Sequence, residues 1–232
     1  MNILSILLQV INAAPVNVPT AAPVKEVSMS YLDLVMKGGW LMLPIALLSV
    51  AAVYIFVERY IAIKKAAKID TNFIDRIRDY IHEGKIEAAV NLCQSTSNPV
   101  ARMIEKGIHK IGRPLKDIED AIEVVGRFEV YNLERNLTIL GVIAGIAPMF
   151  GFIGTIAGVI KIFYNISLAD NISIGLIAGG LYEKMVTSMA GLSVGIIAFI
   201  GYHWLNTMVT KVVHRLEFNA TNFIDILQEP IK

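Results

Sequence analysis

The chain has 232 residues, 55% of them hydrophobic and 18% charged, with a mean hydropathy of +0.58. The apolar residues fall in long blocks, which excludes an ordinary soluble domain and marks an integral membrane protein. A net charge of +1 gives no electrostatic reason for a nucleic-acid partner, and a single cysteine, Cys93, excludes an intrachain disulfide or a CxxC centre.

Residues 1–37 are read as an outside-facing amino-terminal segment. Ile3 to Ile11 is apolar apart from Ser5 and Gln9, but it is too short to span a bilayer and lacks the basic flank of a secretory signal. An export signal, an interfacial helix followed by a flexible linker, and a disordered segment are all compatible with it. Ser28 to Lys37 predicts a short amphipathic approach helix.

The first membrane helix is placed at 38–57, with Trp40 and Tyr60 as interfacial anchors and Pro44 in the opening turns, where a missing backbone donor is cheap. Arg59, Lys64, Lys65 and Lys68 follow directly. Basic residues collect on the cytoplasmic side, so the amino terminus is expected outside and residues 58–135 inside, as a cytoplasmic helical domain.

Within that domain Phe73, Ile74, Ile77 and Ile81 recur at helical spacing and stop at Gly84, and Ile86, Ala89, Val90 and Cys93 form the next stripe. Ser95 to Pro99 breaks the pattern, a third helix fits Val100 to Ile111, and Gly112-Arg113-Pro114 makes a turn. His82 and His109 lack ligand-spaced companions and are read as surface or packing residues. From Leu115 no strong breaker intervenes, which predicts one helix running on into the second span at 136–163. Glu123 and Arg127 form an i,i+4 pair on it, worth about 0.2–0.5 kcal/mol if exposed.

The second span carries Gly151, Gly154 and Gly158 within about 60° of one another, with Thr155 about 40° from Gly151, so a small-residue face bears a hydroxyl. Pro148 removes a backbone donor and is expected to kink the helix. After an outer loop at 164–171 the third span, 172–210, returns inward, and Lys211, His214 and Arg215 open a cytoplasmic tail at 211–232.

Glu183 and Lys184 are the only charged residues between Asn171 and Thr210, and an ionisable group at such a depth is a site hypothesis. With Glu183 at 0°, a step of about 100° puts Thr187 at about 40°, Ser188 at about 140° and Lys184 at about 100°. A wet helix terminus and a buried structural pair are the competing readings of Glu183; a carboxylate facing a polar path is the functional one. Three spans from one chain can scarcely enclose such a path, whereas several copies in a ring could. The sequence shows no Walker motif, Ser/His/Asp set or metal cluster, which points away from an enzyme, a cofactor or a metal and towards an ion gradient as energy source.

These residues carry a resemblance. The three-span layout with its large first loop, then Ala147-Pro148, Gly151, Gly154-Thr155, Gly158, and Glu183 through Gly191-Leu192, resembles the MotA/TolQ/ExbB family of proton-channel subunits. The resemblance implies an all-α integral membrane protein of the bacterial inner membrane, with three transmembrane helices, long cytoplasmic helical extensions and a homopentameric ring. It also implies an ExbD-like dimer inside the ring, each of its helices bearing an aspartate, and a TonB-like protein driven by proton flow for outer-membrane transport. Thr155 and Glu183 match the family's channel threonine and glutamate; its third-span hydroxyl falls on Ser188, whereas the helical projection favours Thr187. Gly151, Gly154, Gly158 and Gly191 are assigned to helix packing. Lys184 stands where the family usually has an apolar residue. Alternatives are TolQ-like service in outer-membrane constriction and a non-conducting membrane scaffold.

Overall fold

The computed structural model describes residues 39–68, 70, 72–168 and 174–229, without the side chains of Leu176 and Glu183. The expected amino-terminal segment and approach helix, and the start of the third span, lie outside the described residues. Within them the chain is all helical: α1 Met42–Ala66, α2 Phe73–His82, α3 Ile86–Ser95, α4 Pro99–Ile108, α5 Leu115–Glu134, α6 Leu137–Leu168 and α7 Ile174–Gln228. Helices α1 and α7, and the α5–α6 stretch, are each long and apolar enough to cross a membrane. The protein is therefore a multi-pass membrane protein with three spanning helices and long helical extensions.

Short helices with one apolar stripe must bury it against something else, and here the partner is the far half of α7. Phe73 and Ile77 of α2, Ala89 and Cys93 of α3, Ile104 and Ile108 of α4, and Ile118 and Ile122 of α5 join Leu216 and Phe223 of α7 in one buried cluster. Gly107 of α4 is where the approach is closest, because a Cβ there would lie 2.7 Å from the Phe223 ring and 2.8 Å from Ile122. The polar tail expected after residue 210 is a continuation of the same helix, and α7 runs unbroken for 55 residues.

Asn98 fastens the bundle to α1. Its side-chain oxygen accepts from the Val100 amide at 2.8 Å, capping α4 ahead of Pro99, while its amide nitrogen donates to the Ala66 and Lys68 carbonyls at 2.9 and 2.5 Å. Arg215 donates to the neighbouring Ala67 carbonyl at 2.9 Å. The end of the first span is thus closed by side chains from two distant parts of the chain, which satisfies carbonyls a helix end leaves open.

The expectation of one unbroken helix from Leu115 into the membrane needs correction. Helix α5 stops at Glu134 and α6 starts at Leu137, with Asn136 at a φ of 66°, a left-handed conformation that Asn tolerates better than most side chains. The break is held from outside. The Arg59 guanidinium, buried two turns before the end of α1, donates to the Asn132 carbonyl at 3.0 Å and to the Glu58 carboxylate, and Asn136 donates to Glu58 at 3.4 Å.

Candidate membrane-embedded site

Helices α6 and α7 make the most extensive contact in the fold, and they can do so because both present small residues at alternating spacings of three and four. On α6 the seam is Ala147, Gly151, Gly154 and Gly158, all buried. Opposite them on α7 stand Gly195, Gly191, Ser188, Thr187 and Lys184 in antiparallel order.

The separation is close to the limit set by the backbones. A Cβ on Gly191 would lie 2.6 Å from the Ala147 carbonyl oxygen and 2.9 Å from the Gly151 Cα; a Cβ on Gly151 would lie 3.0 Å from the Ser188 carbonyl oxygen. Pro148 sits inside the continuous α6, and a Cβ on Gly195 would collide with its ring while lying 3.1 Å from the Ala144 carbonyl oxygen. The carbonyl that Pro148 deprives of its helical donor is thus the one on which Gly195 closes.

The hydroxyls divide. Thr187 is fully enclosed in the seam, and a Cβ on Gly154 would lie 3.0 Å from its methyl carbon. Ser188, half-buried, meets Gly151 through its backbone. Thr155 is half-buried and lies one residue beyond the seam line; its hydroxyl donates to the Phe152 carbonyl at 2.7 Å, leaving its lone pairs as acceptors. The structure therefore brings Gly151, Gly154 and Gly158 together with Thr187, Ser188 and Gly191, and sets Thr155 to the side.

Glu183 belongs to α7 by its backbone, and its side chain lies outside the described residues. Its neighbour Lys184 is half-buried: the aliphatic stem fills the notch left by Gly158, and the ammonium ends 3.8 Å from where a Gly39 Cβ would be, at the head of α1. A lysine that buries its stem and carries its charge to the end of a span behaves as long amphipathic side chains do in bilayers.

Gly195 is the seam residue that sequence reasoning missed. Gly191 and Gly195 form a G-x-x-x-G pair, the signal that could have found it, but the need for the second glycine appears only once Pro148 is seen opposite. Outside the membrane, Arg102 grips the buried Glu129 with two hydrogen bonds at 2.7 and 2.5 Å, and this partner raises the arginine above its ordinary pKa. Burial pushes the Cys93 thiol up to about 12, so it is an inert packing group. Among the described residues no group of three His, Cys, Asp or Glu side chains is placed to hold a metal ion.

Comparison with known proteins supplies the context. Residues 95–218 match the MotA/TolQ/ExbB proton channel family. A biopolymer transport protein ExbB homolog of Methanothermobacter thermautotrophicus is 27% identical over 197 residues, covering 84% of this chain and 70% of that protein. The Tol-Pal system protein TolQ of Haemophilus influenzae is 27% identical over 111 residues, 48% of this chain and 47% of its own length. The biopolymer transport protein ExbB of Neisseria gonorrhoeae is 37% identical over 73 residues, 32% of this chain and 33% of its own.

Proposed function

The chain belongs to the MotA/TolQ/ExbB proton channel family, and from that premise we propose that it is an ExbB-like stator subunit coupling the proton gradient to TonB-dependent outer-membrane transport. The observation that carries the reading is the tight α6–α7 seam, enclosing Thr187, with Glu183 of α7 next to Lys184 at its outer end, inside the matched region.

In this reading five copies form a ring around an ExbD-like dimer, and Glu183, Thr155 and one of Thr187 and Ser188 serve the proton path. The partner's carboxylate takes up a proton near Glu183, becomes cheaper to carry past apolar wall residues, and turns within the ring before releasing it. A TonB-like protein receives that motion. The rigid seam supplies the other requirement, a wall that holds its shape while the inner dimer moves. Lys64 and Lys65 in the last turn of α1, Lys68 just beyond it, and Lys211 and Arg215 on α7 support an orientation with the amino terminus in the periplasm and the carboxyl terminus in the cytoplasm, in the inner membrane.

The test compares Glu183→Gln and Glu183→Ala in cells carrying the cognate partners, with assembly and proton-dependent transport measured together. Both variants are expected to assemble and to lose transport, and Thr155→Val to be impaired. Normal transport by correctly assembled Glu183→Ala would overturn the role of the carboxylate and leave a scaffold. The TolQ similarity favours one second reading, service in outer-membrane constriction. Recovery of a TolR-like in place of an ExbD-like partner by pulldown decides between them.

A further inference from the structure

Helices α1 and α7 leave a cavity of about 310 Å³ between them, with Leu140 of α6 also in its lining. It is bounded by Ser49, Val53 and Phe56 of α1 and by Ile197, Gly201 and Trp204 of α7, so its walls are almost wholly apolar. Val53, Ile197 and Trp204 are exposed, which leaves the cavity open sideways at the level of the bilayer. At the end of the slot towards Lys64 its wall residues Phe56 and Trp204 gather with Tyr60, one turn further on, with ring centroids 6.0–6.3 Å apart. The Lys64 ammonium follows, 5.5 Å from the Tyr60 ring centroid.

Ser49, Val53, Phe56, Tyr60 and Lys64 are spaced by three or four and therefore share one face of α1. Read along that face, an apolar slot gives way to an aromatic collar and then to a cation. Val53 and Lys64 are 11 residues apart, about 16 Å of helix, which is on the order of the reach of a phospholipid from the middle of an acyl chain to its headgroup. On the span placed at 38–57, Val53 is four residues, about 6 Å, inside its end and Lys64 about 10 Å beyond that end, so the slot opens within one leaflet and the cation stands at the level of that leaflet's headgroups. Aromatic residues at that level are the usual interfacial belt, and a lysine there attracts anionic headgroups.

We propose that this face is a binding site for one anionic phospholipid, with an acyl chain in the slot and the headgroup phosphate at Lys64. A transmembrane helix of a second copy, about 10–12 Å across with its side chains, is too broad to enter a slot of this volume, whereas a single acyl chain is not. The order of the ladder, apolar then aromatic then cationic, is that of a phospholipid read from tail to head.

The experiment uses the full chain in nanodiscs of equal phosphatidylglycerol and phosphatidylcholine, released into native mass spectrometry. Phosphatidylglycerol is expected to be retained about fivefold over phosphatidylcholine, the preference one surface lysine confers. Lys64→Glu should abolish the preference, Val53→Trp should fill the slot and abolish retention of both lipids, and Lys65→Glu, an exposed residue of α1 about 100° round the helix from Lys64, should change neither. The mass of the protein assembly is read in the same spectra, so that loss of lipid is separated from loss of structure. Equal retention of the two lipids, no retained lipid, or an effect of Lys65→Glu as large as that of Lys64→Glu would overturn the proposal. So would efficient disulfide cross-linking between copies through Val53→Cys in a Cys93→Ser background, because a second copy would then cover the slot.

Discussion

Adding one methyl group at Gly191 tests whether backbone contact, and not side-chain chemistry, sets the distance between α6 and α7. The new Cβ would lie 2.6 Å from the Ala147 carbonyl oxygen, 2.9 Å from the Gly151 Cα and 3.0 Å from the Gly151 nitrogen. Ordinary carbon–oxygen contacts begin at about 3.3 Å, so the helices must part by about 0.7 Å, and no rotamer change can absorb it because all three neighbours are backbone. A gap of that size forfeits about a quarter to a half of the dispersion attraction of each atom pair along the seam. Overpacking of this kind costs about 1–3 kcal/mol, which for a chain of this size lowers the unfolding midpoint by about 2–12 °C. The assay is thermal unfolding of the purified full chain in mild detergent, followed by tryptophan fluorescence. Gly126→Ala is the control, since its nearest neighbour is the flexible Met103 sulfur at 3.4 Å. It should be neutral or gain up to about 1 kcal/mol of helix propensity. An unchanged midpoint for Gly191→Ala would refute the account of the seam given above.

Asn98→Ala removes a helix cap and both donors that close α1, and is expected to cost about 2–4 kcal/mol, with the first new proteolytic cuts near residues 66–72. Arg102→Ala leaves the buried Glu129 carboxylate without its partner and should cost about 1–3 kcal/mol; Arg102→Met with Glu129→Leu should recover most of that midpoint shift. Cys93 should resist maleimide at neutral pH in the folded protein, so topology is better read from Glu87→Cys, an exposed position on the same helix, in a Cys93→Ser background. Labelling of position 87 only from the periplasmic side would reverse the proposed orientation. The buried thiol keeps its proton after the unfolded chain has lost it, so its contribution to stability is complete below the unfolded value of 9.0 and fades as pH rises towards about 12. A denaturation midpoint that rises over that window would contradict the burial.

Periodicity made the membrane helices and the short helices of the loop domain legible, because a 3.6-residue stripe and a charge-free run of about 20 residues are local signals. The break at Asn136 was not legible. Neither Gly nor Pro marks it, and what holds it is Glu58 and Arg59, more than 70 residues earlier in the chain. The glycines of α6 could be read as a packing face from the second span alone, but which residues oppose them could not. An ideal-helix projection grouped Thr187 with Glu183 and Thr155 with the glycines; in the fold Thr187 is closed into the seam, while the Thr155 hydroxyl bonds to its own helix. Projection gives the angle of a residue about one axis, whereas enclosure depends on the second axis, which the sequence does not draw. Asn98 looked like part of a breaker, and its bonds to the end of α1 belong to tertiary structure.

Helix α7 has no glycine or proline after Gly201 in its described length, so its last 27 residues form a stiff beam. Ser188 in the membrane seam and Phe223 in the core of the helical bundle are 35 residues apart, about 50 Å of continuous helix. Tilting such a beam by about 5° about its membrane end carries the far end through about 4 Å, the rise of about three helical residues. Phe223 is enclosed by α4 and α5, so the bundle cannot let the beam slide through it and has to travel with it. The protein is in this sense a lever whose short arm is the wall of the seam and whose long arm ends in the helical bundle, so that a small displacement beside Ser188 is magnified near Phe223.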